Sequence, residues 1–163
     1  MLRTPDTLRE EWVKALRSYE GTRFRHLGRS RQGGVDCAGL LICATEDVGI
    51  NNNSRSIVKN YARTPDDEMF TDVLSGFAYP MAYNRLHGIL DQFLPGDILS
   101  FWIDAPGHPR HLSVITGSDR IGRTTMIHSY ARRDRGVIEC SIDAAYWLPR
   151  IHQVWRLNEL SQV

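Results

Sequence analysis

The stretch Gly33-Gly34-Val35-Asp36-Cys37-Ala38-Gly39-Leu40 places a cysteine where a glycine-rich loop becomes an apolar segment. The residues that follow are apolar nearly all round up to Gly49, which predicts a buried helix beginning near Asp36. Free N–H groups and a partial positive charge at a helix start lower the pKa of a thiol and can hold an oxyanion. Gly39 weakens a helix, which indicates that another segment packs closely there. Cys37 is therefore a candidate nucleophile, although a buried structural cysteine is the commoner explanation of such a residue.

The segments around this stretch change from helical to β-rich along the chain. An apolar stripe from Leu8 to Tyr19 predicts a first helix that starts after Thr4-Pro5 and stops at Gly21. Further helices are predicted from Pro65 and around Asn84–Phe93. Five later segments have the composition of strands: 98–103, 111–117, 123–130, 136–141 and 150–157. This order predicts an α+β fold, with N-terminal helices packed on a C-terminal antiparallel sheet of about five strands.

The composition is that of one globular domain, which we expect to cover residues 1–163. The net charge of +1 gives no indication of nucleic-acid binding, and the longest apolar run, within Ala38–Ala44, is too short to insert in a membrane. The first residues lack the apolar core of a signal peptide, so we expect synthesis in the cytoplasm. The chain has only three cysteines, which does not suggest a disulfide framework. We expect Cys43 and Cys140 to be structural. For Cys140 the reason is that no basic partner lies near it in the sequence.

Two of the histidines, His111 and His128, flank a predicted hairpin. If Gly117 pairs with Gly122, His111 lies directly opposite His128 on one face, so that one ring can orient the other as a general base requires. An ordinary cross-strand polar pair is the alternative, and a slip of one residue would separate the rings. A weaker alternative is a zinc site formed by His108, these two histidines and a cysteine, since no established zinc motif is present. We therefore expect the chain to bind neither a metal nor a cofactor.

Together, these pieces resemble the NlpC-type family of papain-like cell-wall cysteine peptidases. The resemblance rests on four motifs in order: Asp-Cys-x-Gly-Leu at 36–40, Pro-Gly-Asp at 95–97, His-Leu-Ser-Val at 111–114 and Ile-His-Ser at 127–129. It implies a papain-like fold with Cys37 as nucleophile, His111 as base and His128 as the orienting group. The implied reaction is hydrolysis of an amide bond in the peptidoglycan stem peptide, commonly between D-γ-glutamate and diaminopimelate.

The loop before the nucleophile is expected to contact substrate. The family often has a tyrosine there, near the oxyanion, whereas the nearest match here is Phe24, and His26 is a possible substitute. We expect Phe24, Arg25, His26 and Asp36 to bind substrate. The planar guanidinium groups in this loop also suit the carboxylates of the stem peptide. This second expectation covers Arg23, Arg25, Arg29 and Arg31.

Residues 21–29 are similar to a narrower subgroup, the peptidases encoded among tail genes of phages and gene transfer agents. This resemblance implies a chain carried in a phage-like tail to the cell wall, with tail-tip or baseplate proteins as partners. Segments 51–63 and 66–83 are candidate surfaces for those partners. Two alternatives stay open: a structural tail-tip or tail-assembly protein that uses the fold as an interaction module, and an acyltransferase or amidase with the same thioester chemistry.

Overall fold

A computed structural model describes residues 3–50, 52, 67–84, 89–103, 109–131 and 136–160. The helices are α1 (Pro5–Arg17), α2 (Cys37–Asp47), α3 (Asp67–Ser75) and the short α4 (Ala144–Trp147). Short 3₁₀ turns cover Ile89–Gln92, Leu148–Arg150 and Asn158–Leu160. His108, the candidate surface at 53–63 and the predicted start of the third helix at Pro65 lie outside the described residues.

Six strands form one antiparallel sheet in the order β3-β8-β4-β5-β6-β7. Their bounds are β3 Ala78–Met81, β4 Ile98–Trp102, β5 Pro109–Ser118, β6 Thr124–Tyr130, β7 Gly136–Ser141 and β8 Ile151–Leu157. The five predicted strands are β4 to β8, and β3 is an addition at the edge. β3 was missed because it is short and contains Pro80, a residue that sheets accept at their edges. A separate two-stranded ribbon, β1 (Arg29–Ser30) with β2 (Gly34–Val35), precedes α2.

Helices α1, α2 and α4 start where a side chain satisfies free N–H groups of the first turn. Thr4 Oγ1 accepts from the amide of Thr7 at 3.1 Å, and Pro5 occupies the first turn of α1, as predicted. α2 is buried along Ala38–Thr45 and packs on the sheet at β5 and β6. Each fully buried leucine or isoleucine on that helix contributes roughly 1.5–3 kcal/mol to the free energy of folding. This burial fixes the position of the helix start beneath the loop.

The two faces of the sheet carry separate apolar clusters. One contains α1, α2 and the side chains of Leu112, Val114 and Ile127. The other contains Phe101 and Trp147, together with Leu99, Ile115 and Met126. Side chains alternate between the faces along each strand, so His111 belongs to the second face whereas its neighbour Leu112 belongs to the first.

Candidate active site

Asp36 holds the start of α2 and the loop before it in one unit. Its Oδ1 accepts from the amide of Gly39 at 2.8 Å, which caps the helix, and its Oδ2 accepts from the amide of Leu27 at 2.8 Å. Arg29 forms an ion pair with the same carboxylate at 3.1 Å. The protein itself engages both oxygens of this buried group, which explains why an acidic residue precedes the cysteine. A contact between Asp36 and substrate stays a prediction.

Gly39 allows the loop to lie directly on the helix. A Cβ atom at this position would overlap the carbonyl oxygen of Gly28 and approach Arg29 Nη1 to 2.6 Å. The expectation that another segment packs closely at Gly39 is thereby confirmed. Leu27 has a φ of 60°, a left-handed conformation that is uncommon for leucine, and its amide is the one held by Asp36. The loop that leads to Cys37 is thus held against the start of α2 by close backbone contacts.

The thiol of Cys37 lies beside β5. The residue is half-buried, and the amides of Leu112, Ala38 and Cys37 itself hydrogen-bond to the sulfur. Burial, with a smaller contribution from the Asp36 carboxylate, nevertheless raises the pKa of Cys37 to about 12. The expectation that the helix start lowers this pKa is wrong, because the desolvation of a thiolate outweighs those N–H groups. Cys37 therefore rests as a neutral thiol.

His111 and His128 contact one another directly. The distance from His111 Nε2 to His128 Nδ1 is 2.7 Å, and both rings are buried. The predicted register is wrong, because Val114 pairs with Ile127 and a bulge lies between Ile115 and Gly117. The same register, continued beyond its last pair, would set Tyr130 rather than His128 opposite His111. The shift is two residues, an even number, so the histidines stay on one face as diagonal neighbours.

The site lies where β5 and β6 separate. Their pairing runs from Val114 and Ile127 toward the turn, so His111 and Leu112 lie beyond its end. The thiol interacts with the Leu112 amide there, one backbone position from His111. His128 engages Nε2 of His111, so a role of His111 as the base would use Nδ1. A contact between Nδ1 and the thiol stays a prediction.

Aromatic side chains enclose the histidine pair. The ring of Trp147 lies 5.6 Å from that of His111 and 5.7 Å from that of His128, and the Tyr130 ring lies 5.1 Å and 5.4 Å from them. Burial lowers the pKa of His128 to about 4; it also lowers the pKa of His111 well below 6.5, and the neighbouring His128 adds to that shift. Both rings therefore rest neutral, which suits a base that must accept a proton.

Sequence reasoning missed three of these neighbours. Tyr130 was detectable, since it lies two residues after His128 on the same strand face. Trp147 was not, because α4 brings it in from a distant part of the chain. The expectation that Cys140 has no basic partner is wrong: its sulfur lies 3.9 Å from Nε2 of His128.

The loop residues predicted to bind substrate occupy different positions. Phe24 is half-buried and bridges to Val35, Arg25 is exposed, and His26 Nδ1 lies 4.0 Å from Asp36 Oδ2. All three lie in the segment that packs on the start of α2. Their contact with substrate stays a prediction.

The expected arginine cluster does not converge on the thiol. Arg31 binds Asp47 at 2.7 Å and stacks on Tyr19, at the far end of α2 from Cys37. Arg29 is paired with Asp36. Arg23 donates to the carbonyl of Gly33 at 3.1 Å. The guanidinium group of Arg25 also lies near Gly33, with Nη1 3.6 Å from the position that a Cβ atom would take there. Carboxylate binding by the arginines of this loop stays a prediction.

Two further properties concern the part of the chain that the structure describes. Its histidine, cysteine and acidic side chains form no group of three or more that could hold a metal ion. None of its helices has the length and apolar character needed to cross a membrane.

Solved structures share this fold. A protein described as similar to lipoprotein, of the NLP/P60 family, from Staphylococcus aureus superposes with a TM-score of 0.63 at 13% identity, over 96% of this chain. The chain spans 43% of the length of that structure. The NlpC/p60 domain of the peptidoglycan hydrolase SagA gives a TM-score of 0.49 at 17% identity, over 85% of this chain and 93% of that one. The first of these superpositions shows that the chain has the α+β, papain-like fold of NlpC/P60 proteins. No protein-family model and no curated protein matches the sequence.

Proposed function

We propose that the chain is a cysteine endopeptidase that hydrolyses amide bonds of the peptidoglycan stem peptide. The observation that carries the proposal is the 2.7 Å contact between His111 and His128, together with the hydrogen bond from the amide of Leu112, the residue next to His111, to the Cys37 sulfur. A nucleophile, a base and a group that orients the base are the minimum set for thioester chemistry. The NlpC/P60 fold and the four ordered motifs support the cell-wall peptide as the substrate class.

The catalytic cycle follows from the resting protonation states. The thiol and imidazole start neutral, so His111 Nδ1 takes the proton as Cys37 Sγ attacks the carbonyl carbon. Backbone amides at the start of α2 hold the resulting oxyanion. His111 then donates its proton to the leaving amine and the C–N bond breaks, which leaves a thioester. A water molecule, deprotonated by His111, hydrolyses this thioester and restores the thiol.

The direct test is digestion of purified muropeptides with identification of the products by mass spectrometry. Hydrolysis adds one water across the cut bond and releases a new free amine and a new carboxylate. Transfer to a second amine without uptake of water would instead assign the acyltransferase alternative. Intact muropeptides of every cross-link type, incubated with folded protein, would contradict the proposed substrate.

The fall of kcat/KM at acid pH is expected to occur at a lower pH than for an ordinary histidine base. A base works only when unprotonated, and burial keeps the pKa of His111 well below 6.5. We therefore expect kcat/KM to stay nearly constant from about pH 8 to about pH 6, where an ordinary histidine would already be half protonated. Measurements with a fluorogenic stem-peptide analogue give the profile. A midpoint near 6.5 would contradict a buried, neutral base.

We also propose that a phage-like tail carries the chain to the wall, where it assists penetration. The similarity of residues 21–29 to tail-gene peptidases supports this role, with tail-tip or baseplate proteins as partners. Mass spectrometry of purified particles tests it, because a carried enzyme must be present in them. Presence in the lysate alone would favour an assembly factor or a lysis enzyme. Presence in particles without muropeptide cleavage would favour the structural tail-tip alternative.

A further inference from the structure

Cys140 lies beside Nε2 of the His128 ring, whereas His111 contacts the other ring nitrogen, Nδ1. His128 pairs with Ile138 across β6 and β7, and Cys140, two residues further on, is a diagonal neighbour on the same face. Its sulfur is 3.9 Å from Nε2, whereas His111 approaches Nδ1. The contacts therefore form a row that runs from His111 through His128 to Cys140.

The direction of the hydrogen bonds along this row decides whether His111 is a base. His111 must keep Nδ1 bare to accept the thiol proton, so its own proton must be on Nε2. That N–H then donates to Nδ1 of His128, which places the His128 proton on Nε2, facing Cys140. With the proton of His128 on Nδ1 instead, His111 would accept at Nε2, carry its proton on Nδ1 and have no free site for the thiol.

We propose that Cys140 is a positioning residue whose sulfur accepts the Nε2 proton of His128 and so selects the productive tautomer of both rings. The consequence for catalysis rests on the proposed function, whereas the tautomer itself does not. Hydrogen bonds to sulfur at this length are weak, so Cys140 biases the equilibrium without locking it. One modest hydrogen bond changes such a population roughly threefold to tenfold.

Two replacements separate the acceptor role from packing. Cys140→Val is apolar and of similar size, so it fills the space without accepting a proton. Cys140→Asp adds a stronger acceptor that reaches toward Nε2, and the half-buried position gives its carboxylate access to water. A packing role predicts that Val is harmless and Asp harmful, whereas an acceptor role predicts the reverse order. Ile138→Val serves as the matched control, because it alters packing opposite His128 without changing any polar atom.

The tautomers can be measured without any substrate. In the full-length protein with ¹⁵N-labelled histidine, long-range ¹H–¹⁵N correlations at about pH 8 distinguish a bare ring nitrogen from a protonated one. We expect bare Nδ1 and protonated Nε2 on both rings in the wild type, in Ile138→Val and in Cys140→Asp. Cys140→Val should show a mixture shifted toward protonated Nδ1. A wild-type His128 protonated on Nδ1, or the same tautomers in Cys140→Val as in the wild type, would overturn the proposal.

Kinetics give a second readout. Cys140→Val should lower kcat roughly threefold to tenfold with an unchanged KM, in proportion to the lost tautomer, and Cys140→Asp should keep wild-type kcat. A Cys140→Val enzyme as active as the wild type would also overturn the positioning role. If the tautomers shift as expected but no protein cleaves muropeptides, the proposed function fails and the assignment of Cys140 as the acceptor stands.

Discussion

Cys37→Ala should abolish muropeptide cleavage and leave the fold intact. The thiol is half-buried at the edge of the core, so removal of one sulfur atom costs little packing. Loss of the nucleophile, however, removes the covalent route, and catalytic groups that act as a unit typically lose about 10⁴- to 10⁶-fold in kcat when one is removed. Product formation followed by mass spectrometry, with circular dichroism to verify folding, makes the measurement.

The histidine variants should follow a graded order. His111→Ala should lose nearly as much activity as Cys37→Ala, because the proposed reaction uses His111 as its base and the groups act as a unit. His128→Ala should lose less, since water can partly replace an orienting group. Cys43→Ala is the matched control, a thiol removed from the same helix within the core. Cleavage by Cys37→Ala at the wild-type rate would exclude the peptidase and move the chain to the structural alternative.

Helices α1, α2 and α3 and five of the strands could be predicted because their signals are local. The short α4 was not predicted, and the helix expected around Asn84–Phe93 is described only as a 3₁₀ turn at Ile89–Gln92. Thr4 and Pro5 mark the start of α1, and Asp36 precedes an apolar run that stays helical to Asp47. The position of Cys37 at a helix start follows from those signals alone. Gly39 predicted a close contact on the helix, although the contacting segment at Gly28 could not be identified from the sequence.

The register between β5 and β6 could not be predicted from the sequence. The prediction assumed a short turn, whereas the Asp119 carboxylate accepts from the amides of Ile121 and Arg123 and holds a wider one. A bulge beyond Ile115 changes the pairing again. The two histidines meet in spite of the error, since an even shift preserves the face of the sheet.

The electrostatics of the site also depend on information that the local sequence lacks. A helix start favours a thiolate, but the burial that raises the pKa of Cys37 comes from the whole fold. The same holds for Cys140, which reaches His128 only through the pairing of β6 with β7. The local pattern therefore located a candidate nucleophile, whereas its resting protonation state required the tertiary structure.

Asp97→Ala should destabilise the fold more than any replacement at the active site. The carboxylate is fully buried, binds Arg156 through both oxygens at 2.8 and 2.7 Å, contacts Arg9 at 3.3 Å and accepts from the amide of Leu94. These bonds connect α1, β4 and β8. Removing one partner of a buried ion pair costs about 3–5 kcal/mol, and the lower end applies because both guanidinium groups keep some access to water.

Urea unfolding followed by tryptophan fluorescence measures this loss, with Asp72→Ala as the control on the exposed side of α3. The control should stay within about 0.5 kcal/mol of the wild type. We expect the Asp97→Ala protein that remains folded to keep its kcat/KM within roughly threefold, because the contacts of Asp97 with described residues involve neither Cys37 nor the two histidines. Wild-type stability with lost activity would instead assign Asp97 to the chemistry. The expected outcome would show that Asp97, and with it the Pro-Gly-Asp motif at 95–97, maintains the fold without taking part in the chemistry.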